Sequence, residues 1–406
     1  MSTYSDVRSY TKQIVEGLAK EDMVISCADF VSPIKWHLGH TTWFFEEFIC
    51  KKDPSYKVYN DKYSLVFNSY YKSLGSHWDH DKRSQLSKPY VDEIFAYREH
   101  VDQFIENKLD KTLVANFKGL MEIGIHHEQQ HQEIIFQDIK YNFSQSPFES
   151  QFSSQQRVGS VKIESGYHEY DERTIKMGKN YGDLFCFDNE TPEHKKLLLP
   201  FSLMNRPVTN GDYLDFIESG SIDKSEYWLS DAWDIVGDLN DKSPLYWRKA
   251  NGGYEQFTFN GWLPLDLNAP LEHINFYEAK AFASYKKARL PKEEELEFIL
   301  ATESMKGTFC DQQGILHNEI TDTNERFYNL HGGLWEWTES AYLAYPSYKA
   351  PSSALGEYNA KFMVNQFVLR GGSLFTPKSH YRNTYRNFYH PHQAWQFSGL
   401  RLAKDI

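Results

Sequence analysis

The 406-residue chain lacks an excess of positive charge, a long apolar run and any closely spaced pair of cysteines. Its 44 Lys and Arg residues face 56 Asp and Glu residues, so the basic surface that phosphate backbones require is not expected. No apolar run approaches the roughly 18 to 20 residues of a membrane span, and the amino terminus lacks a secretion-signal pattern. We therefore expect a soluble cytoplasmic protein without a nucleic acid partner or a membrane association.

Cysteine is scarce, whereas aromatic side chains and histidine are plentiful. No Cys-x-x-Cys pair occurs, which argues against a zinc ribbon, an iron–sulfur site and a disulfide scaffold, and suits a reducing compartment. Aromatic residues make up 16% of the chain, and there are 16 histidines. This mixture suits packed loops and metal chemistry, although most aromatic rings simply fill cores. The four cysteines are Cys27, Cys50, Cys186 and Cys310.

The length suggests two domains, and the sequence changes character near residue 150. Before that point apolar residues recur at helical spacing, which predicts a bundle of four long helices. A Ser- and Gln-rich segment over 144–158 loses this period and contains a proline. We therefore place the linker there and divide the chain into domains 1–150 and 151–406. Helix starts are predicted at Ser5, at Ser32 with Pro33 as the first helical residue, at Ser87 and at Asp110.

After the linker, short apolar runs alternate with loops rich in Gly, Asn, Pro and aromatic residues. This alternation predicts an irregular α+β domain with long loops. Two apolar runs, 201–204 and 367–370, are typical of strands. Only two segments stand out as helices, Asn210–Ser219 and Asn275–Lys287.

The most informative segment is His-His-Glu-Gln-Gln-His-Gln-Glu at 126–133. At about 100° per residue, His127 and His131 lie about 40° apart on one helix face, as two imidazoles that share a metal do. His40 follows Gly39 on an earlier helix, where helices approach closely, so a site of three histidines from two helices becomes possible. Glu133 lies roughly 240° around the helix from His127 and is interpreted as a support outside the ligand set. The histidines interpreted as surface or satisfied core residues are His37, His77, His80 and His126.

The same segment also reads as H-E-x-x-H, the zinc-protease motif with Glu128 as the general base. The extension that would supply a third ligand downstream of His131 is missing. The core of a helical bundle is a common place for oxygen-using iron. Three imidazoles leave up to three positions on Fe(II) for a thiolate, a second substrate and O2. Spacing alone does not choose between iron and zinc.

Three motifs in the first half resemble the DinB-like domain of ergothioneine-biosynthesis sulfoxide synthases: SPIKWHLGH at 32–40, FNSYY at 67–71 and HEQQHQE at 127–133. The second half resembles the formylglycine-generating-enzyme-like domain that completes those enzymes. The resemblance implies a DinB-like four-helix bundle followed by a C-type-lectin-like α+β domain. The motifs of the second half are FDNETPEH at 187–194, PVTN at 207–210, ARLPKEEE at 288–295, GGLWEW at 332–337, LRGGS at 369–373 and GLR at 399–401.

The resemblance also implies a reaction and the residues that perform it. Such an enzyme uses Fe(II) and O2 to join the sulfur of cysteine or γ-glutamylcysteine to the imidazole C2 of hercynine (Nα-trimethylhistidine) as a sulfoxide. His40, His127 and His131 are then the iron ligands. Tyr70 and Tyr71 are the candidates for the acid that supplies a proton.

Candidate substrate-binding residues follow from the same resemblance and from the chemistry of hercynine. Arg83 is the implied clamp for the carboxylate of the sulfur donor, where a guanidinium fork is apt. Lys88 stands where another arginine is expected, which leaves the donor open. Gln130, about 60° around the helix from His127, is expected to reach the bound imidazole or carboxylate. A quaternary ammonium cannot donate a hydrogen bond, so aromatic faces should receive it; the candidates are Trp395, Gln396 and Phe397.

Other activities stay open at this point. A true formylglycine generator carries a cysteine pair near its carboxyl terminus, but Cys310 is the last cysteine here, so we interpret the second domain as a loop-rich wall that closes over the iron. The remaining alternatives are a zinc hydrolase, a DinB-like thiol transferase on a divalent metal, a relative that uses a selenium donor or histidine, and a non-catalytic binding module.

Overall fold

The computed structural model describes residues 3–406 except 110–116, 149, 156, 181, 183, 238, 240, 251, 322–324, 353–355 and 357. The helix start predicted at Asp110 lies outside the described residues. None of the helices in the described part is both long and apolar enough to cross a membrane. The chain forms two compact units: Met1–Phe152 with Ser352–Tyr358, and Ser153–Pro351 with Asn359–Ile406.

The first unit is helical, and the predicted bundle of four long helices is confirmed. A short helix and three 3-10 turns lie between the second and third of these long helices. The helices are α1 (Tyr4–Val15), α2 (Ile34–Phe48), the short α3 (Tyr63–Val66), α4 (Val91–Asn107) and α5 (Lys118–Ser144), and the 3-10 turns are Cys50–Lys52, Lys72–Leu74 and His80–Gln85.

The helix starts differ from the predicted ones by one to three residues. At α1 the cap is Thr3 rather than Ser5: its hydroxyl accepts the Asp6 amide, and the Asp6 carboxylate accepts the Thr3 amide. At α2 the cap is Pro33. At α4 it is Tyr90, whose amide donates to the Glu93 carboxylate.

Two glycines set how closely α2 packs against its neighbours. A Cβ on Gly39 would lie 2.3 Å from Cε1 of Phe67, so only glycine lets that ring pack against α2. A Cβ on Gly124 of α5 would lie 2.5 Å from Cε1 of Phe45 on α2. The second contact brings the helix that carries His40 against the helix that carries the other two histidines of the predicted site.

The second unit contains short sheets joined by long loops, as expected for the α+β domain. Both predicted strands are confirmed at their predicted bounds, as β4 and β9. One sheet is antiparallel around its central strand β4 and contains β1 (Tyr167–Tyr170), β4 (Phe201–Met204) and β12 (Ala403–Asp405). Two smaller antiparallel sheets are β2 (Arg173–Met177) with β3 (His194–Leu198), and β5 (Trp247–Ala250) with β6 (Gly253–Thr258) and β7 (Gly261–Pro264). The fourth sheet has the order β10 (Asn387–Tyr389), β9 (Phe367–Arg370), β8 (Trp335–Ala341) and β11 (Ser398–Gly399), and only its β8–β11 pair is parallel.

The helices of this unit include the two that were predicted, but the expectation of only two was wrong. The segment Glu293–Thr302 is a further helix. Its glutamates are buried against basic residues instead of facing solvent, so the pattern of charges did not indicate it. Arg370 lies 3.0 Å from Glu293 and 2.7 Å from Glu297. The helices are α6 (Asn210–Glu218), α7 (Ser230–Val236), α8 (Phe276–Tyr285), α9 (Glu293–Thr302) and α10 (Cys310–Gln313).

Candidate metal centre and its surroundings

Three imidazoles converge inside the first unit. One nitrogen from each of His40, His127 and His131 lies within 4.8 Å of the others, and this is the metal-ligand group found among the described residues. The Nε2 atoms of His40 and His127 lie 3.1 Å apart. His40 comes from α2 and the other two from successive turns of α5, as their spacing predicts.

The ring of His40 is held in one orientation by its own helix and by a backbone carbonyl. Trp36, one turn before it, stacks on the imidazole at 4.5 Å, and Trp43, one turn after it, stacks at 5.7 Å. Its Nδ1 lies 2.6 Å from the carbonyl oxygen of Phe67, which only accepts hydrogen bonds. Nδ1 therefore carries the proton, and the lone pair of Nε2 faces His127.

Burial keeps all three rings neutral. It lowers the pKa of His127 to about 3, and burial together with repulsion from His127 lowers the pKa of His40 and of His131 well below the usual range. Neutral imidazole is the form that binds a metal ion. The donor set, its burial and its protonation state therefore fit a divalent transition metal.

Glu128, the general base of the zinc-protease interpretation, points away from these histidines. Its carboxylate is fully buried and accepts hydrogen bonds from Arg8 at 2.8 Å, from Arg98 at 2.9 Å and from Thr11 at 2.7 Å. Burial alone would raise its pKa, but the two guanidinium groups lower it to about 2. Glu128 thus joins α5 to α1 and α4, and this geometry argues against its use as a base.

The predicted acids Tyr70 and Tyr71 stack on each other at 4.7 Å. Tyr71 is fully buried, with its ring against Trp43, whereas Tyr70 is half-buried. Asn68 holds the turn by accepting the Tyr71 amide and donating to the Tyr71 carbonyl oxygen. Trp43 in turn stacks on His40, so a continuous aromatic path joins the tyrosine pair to the histidines.

Arg83 is a buried cation that forms no ion pair with a described carboxylate. Its guanidinium lies 3.4 Å from the centre of the Trp36 ring and donates to the hydroxyls of Ser32 and Ser69. Burial lowers its pKa to about 9, against a smaller opposing effect of the Asp138 carboxylate. The Trp36 ring contacts both the Arg83 guanidinium and the His40 imidazole, so a single ring separates this positive charge from the candidate ligand.

Gln130 contacts a residue that the sequence did not identify. The hydroxyl of Tyr358 donates to its Oε1, and the Tyr358 ring lies 5.8 Å from that of His127 and 6.4 Å from that of Tyr70. Tyr358 belongs to the segment Ser352–Tyr358, which is part of the first unit although it is distant in sequence. Because 228 positions separate Tyr358 from Gln130, no local pattern connects them.

The three residues expected to receive the quaternary ammonium belong to the second unit. Phe397 packs in its core, 4.2 Å from Phe375. Gln396 is also buried, and its amide donates to the carbonyl oxygen of Gln393. Of the three, Trp395 alone keeps part of its surface accessible.

Known proteins resemble both units. Residues 3–135 match the DinB superfamily, and residues 148–325 and 323–406 match the sulfatase-modifying factor enzyme 1-like domain. Hercynine oxygenase of Mycobacterium tuberculosis is 29% identical over 57% of this chain and 59% of its own length. Hercynine oxygenase of Mycolicibacterium smegmatis is 28% identical over 54% and 56%, respectively.

Ergothioneine biosynthesis protein 1 of Schizosaccharomyces pombe is 31% identical over 57% of this chain and 29% of its own length. The matches thus span little more than half of the bacterial relatives and less than a third of the yeast protein. They confirm the resemblance to the ergothioneine-biosynthesis proteins. The match to the sulfatase-modifying factor enzyme 1-like domain alone covers more than half of the chain. The chain therefore belongs to that family, here joined to an amino-terminal domain of the DinB superfamily.

Proposed function

We propose that this protein is a non-haem Fe(II)- and O2-dependent sulfoxide synthase that joins the sulfur of cysteine or γ-glutamylcysteine to the imidazole C2 of hercynine. The observation that carries the proposal is the convergence of three buried, neutral imidazoles from two helices. The names of the relatives, hercynine oxygenase and ergothioneine biosynthesis protein 1, support the substrate and the pathway.

The proposed reaction balances without an added reductant. The thiol and the imidazole C2 each give up one hydrogen, one atom of O2 enters the sulfoxide, and the other leaves as water. Fe(II), when bound by His40, His127 and His131, supplies the one-electron chemistry that O2 requires and accepts a thiolate ligand. The protein's remaining task is to position two substrates and to deliver a proton.

Residues around the histidines suit those tasks. Arg83 offers a buried guanidinium, which is in no direct ion pair with a described carboxylate, to bind the carboxylate of the donor. Gln130 and Tyr358 offer a polar pair beside the His127 ring. Tyr70 or Tyr71 supplies the proton. In the second unit, the partly accessible Trp395 ring is the proposed contact for the quaternary ammonium.

The competing activities have less support. A zinc hydrolase would need a free Glu128, whose carboxylate is instead engaged by two arginines. A formylglycine generator would need paired cysteines, but none of the four cysteines is in a disulfide and none follows Cys310. The choice of iron over zinc rests on the relatives and on the chemistry they name.

A turnover assay tests the proposal. The full chain is loaded anaerobically with Fe(II), mixed with hercynine and either cysteine or γ-glutamylcysteine, and then exposed to O2. We expect O2 uptake coupled to a product with the mass of the sulfoxide, with one O2 consumed per product and at least one donor active. Uptake that is independent of hercynine, or no uptake with either donor, would refute the proposed function.

A further inference from the structure

Two buried side chains, His37 and Asp138, form a hydrogen-bonded chain behind His131. The Asp138 carboxylate accepts the backbone amide of Ser32 at 2.9 Å and lies 2.9 Å from Nε2 of His37. Nδ1 of His37 lies 2.8 Å from Nδ1 of His131. His37 and Asp138 are 3% and 1% exposed, so water does not compete for these contacts.

The direction of each hydrogen bond follows from the acceptor at the end of the chain. A carboxylate that already accepts an amide acts as an acceptor toward His37, so Nε2 of His37 carries the proton. When His37 is neutral, its one N–H faces Asp138, which makes its Nδ1 an acceptor. His131 must therefore donate from Nδ1, and its Nε2 lone pair is left for a metal ion.

His40 is held in the same Nδ1–H form by a different hydrogen bond. Its Nδ1–H donates to the carbonyl oxygen of Phe67, which is fixed by the packing of that ring on Gly39. For His131 no backbone carbonyl takes this role among the described contacts. Instead, His37, which is hydrogen-bonded to Asp138, accepts the Nδ1–H of His131.

We propose that His37 and Asp138 are positioning residues that hold His131 in its Nδ1–H form with Nε2 directed at the metal. The pair spans two helices: His37 lies one turn before His40 on α2, and Asp138 lies two turns after His131 on α5. It therefore sets the ring orientation of one ligand relative to the helix that carries another. The role toward iron rests on the proposed function, whereas the protonation pattern of His131 does not.

Two measurements on the full chain test this assignment. The first is the anaerobic dissociation constant for Co(II), used as a spectroscopic probe of the site, and for Fe(II). The second is the imidazole ¹⁵N chemical shifts of the metal-free protein, which identify the protonated nitrogen of His131. The variants are His37→Phe, His37→Asn and Asp138→Asn, with His100→Phe as the control, because His100 contacts the Lys57 carbonyl oxygen and no candidate ligand.

We expect His131 of the unaltered protein to carry its proton on Nδ1. In His37→Phe the metal affinity should fall about 10- to 100-fold. His37→Asn, whose amide oxygen restores an acceptor near the lost Nδ1, should recover part of that loss, and His100→Phe should bind normally. A merely structural role would predict instead that affinity follows the free energy of unfolding, without rescue by Asn.

A folded His37→Phe variant that binds Co(II) as tightly as the unaltered protein would overturn the assignment, as would a proton on Nε2 of His131. If His37→Phe does not fold, His37→Asn and Asp138→Asn carry the test, and normal affinity in both would overturn the proposal. Failure of the unaltered protein to bind either metal would refute the proposed function, and the ¹⁵N shifts would still decide the positioning role.

Discussion

The carboxylate of Glu128 accepts a hydrogen bond from Arg8 at 2.8 Å, although Glu128 directly follows the candidate ligand His127 in the sequence. A single residue along α5 is about 100° around the helix, enough to turn one side chain toward the metal site and the next toward α1. Gln132, four residues later, continues this second stripe by donating to the Val7 carbonyl oxygen and to Thr11. One face of α5 thus carries the candidate metal ligands, and another face carries the residues that bind α5 to the rest of the bundle.

Glu128→Gln should destabilise the protein strongly. The change removes the buried anion between Arg8 and Arg98 and leaves Arg8 paired with Asp102 alone. Breaking a buried ion pair typically costs about 3–5 kcal/mol. Urea unfolding measures the loss. Asp92→Asn, which removes the exposed Lys20–Asp92 pair, is the matched control and should leave stability nearly unchanged. A stable Glu128→Gln variant that loses only a hydrolytic activity would instead favour the zinc hydrolase.

Gly39→Ala should weaken both the fold and the metal site. The new Cβ would meet Phe67 at 2.3 Å, and displacing that ring also moves the carbonyl oxygen that orients His40. Overpacking of this kind costs about 1–3 kcal/mol. The control is Gly119→Ala, also on a helix but with open space around the Cβ, which should be neutral or stabilising. Equal stability and metal affinity in the two variants would contradict the role given to Gly39.

The metal-free protein should lose stability as the pH falls below about 6.5. Burial lowers the pKa of His127 from 6.5 to about 3. Between these two pH values the histidine is protonated in the unfolded chain but not in the folded protein, so the free energy of unfolding falls as the pH falls. Each such histidine contributes up to about 1.4 kcal/mol per pH unit, and His40 and His131 shift in the same direction. The free energy of unfolding, measured from pH 7.5 to 5, should fall less steeply in His127→Phe. Stability that does not change over this range would contradict the burial of neutral imidazoles.

Replacing Tyr70 or Tyr71 by Phe should divert the reaction from the sulfoxide toward simple oxidation of the thiol, because the proton is no longer supplied in time. Product ratios by mass spectrometry measure the effect. The two positions differ in burial, so Tyr71→Phe is the one to check for retained folding. Unaltered ratios in both variants would remove the tyrosine pair from the acid role.

The sequence predicted local features well because they depend on local periodicity. The four long helices, the strands β4 and β9 and the shared helix face of His127 and His131 all follow from residues close in the chain. By contrast, α9 was missed because its buried acids, such as Glu293, are paired with Arg370 and Arg386 from distant segments. A pattern of charged residues predicts an exposed surface unless those partners are known.

The surroundings of the site show the same limit. His37 lies 101 positions from Asp138, and only their contact distinguishes it from an ordinary core histidine. One signal was available: Asp138 follows His131 by seven residues, two helical turns, and so lies on the same face of α5. Tyr358 has no such signal, because a loop far along the chain brings it beside Gln130.

The central claim is that His40, His127 and His131 together hold one catalytic iron. Its most direct test is the Fe(II) content of the anaerobically reconstituted full chain, measured alongside O2 uptake, for the unaltered protein and for each His→Ala variant. We predict one Fe(II) per chain in the unaltered protein, and loss of the metal and of O2 uptake in each variant. A folded His40→Ala variant that keeps its iron and its full turnover would contradict the account.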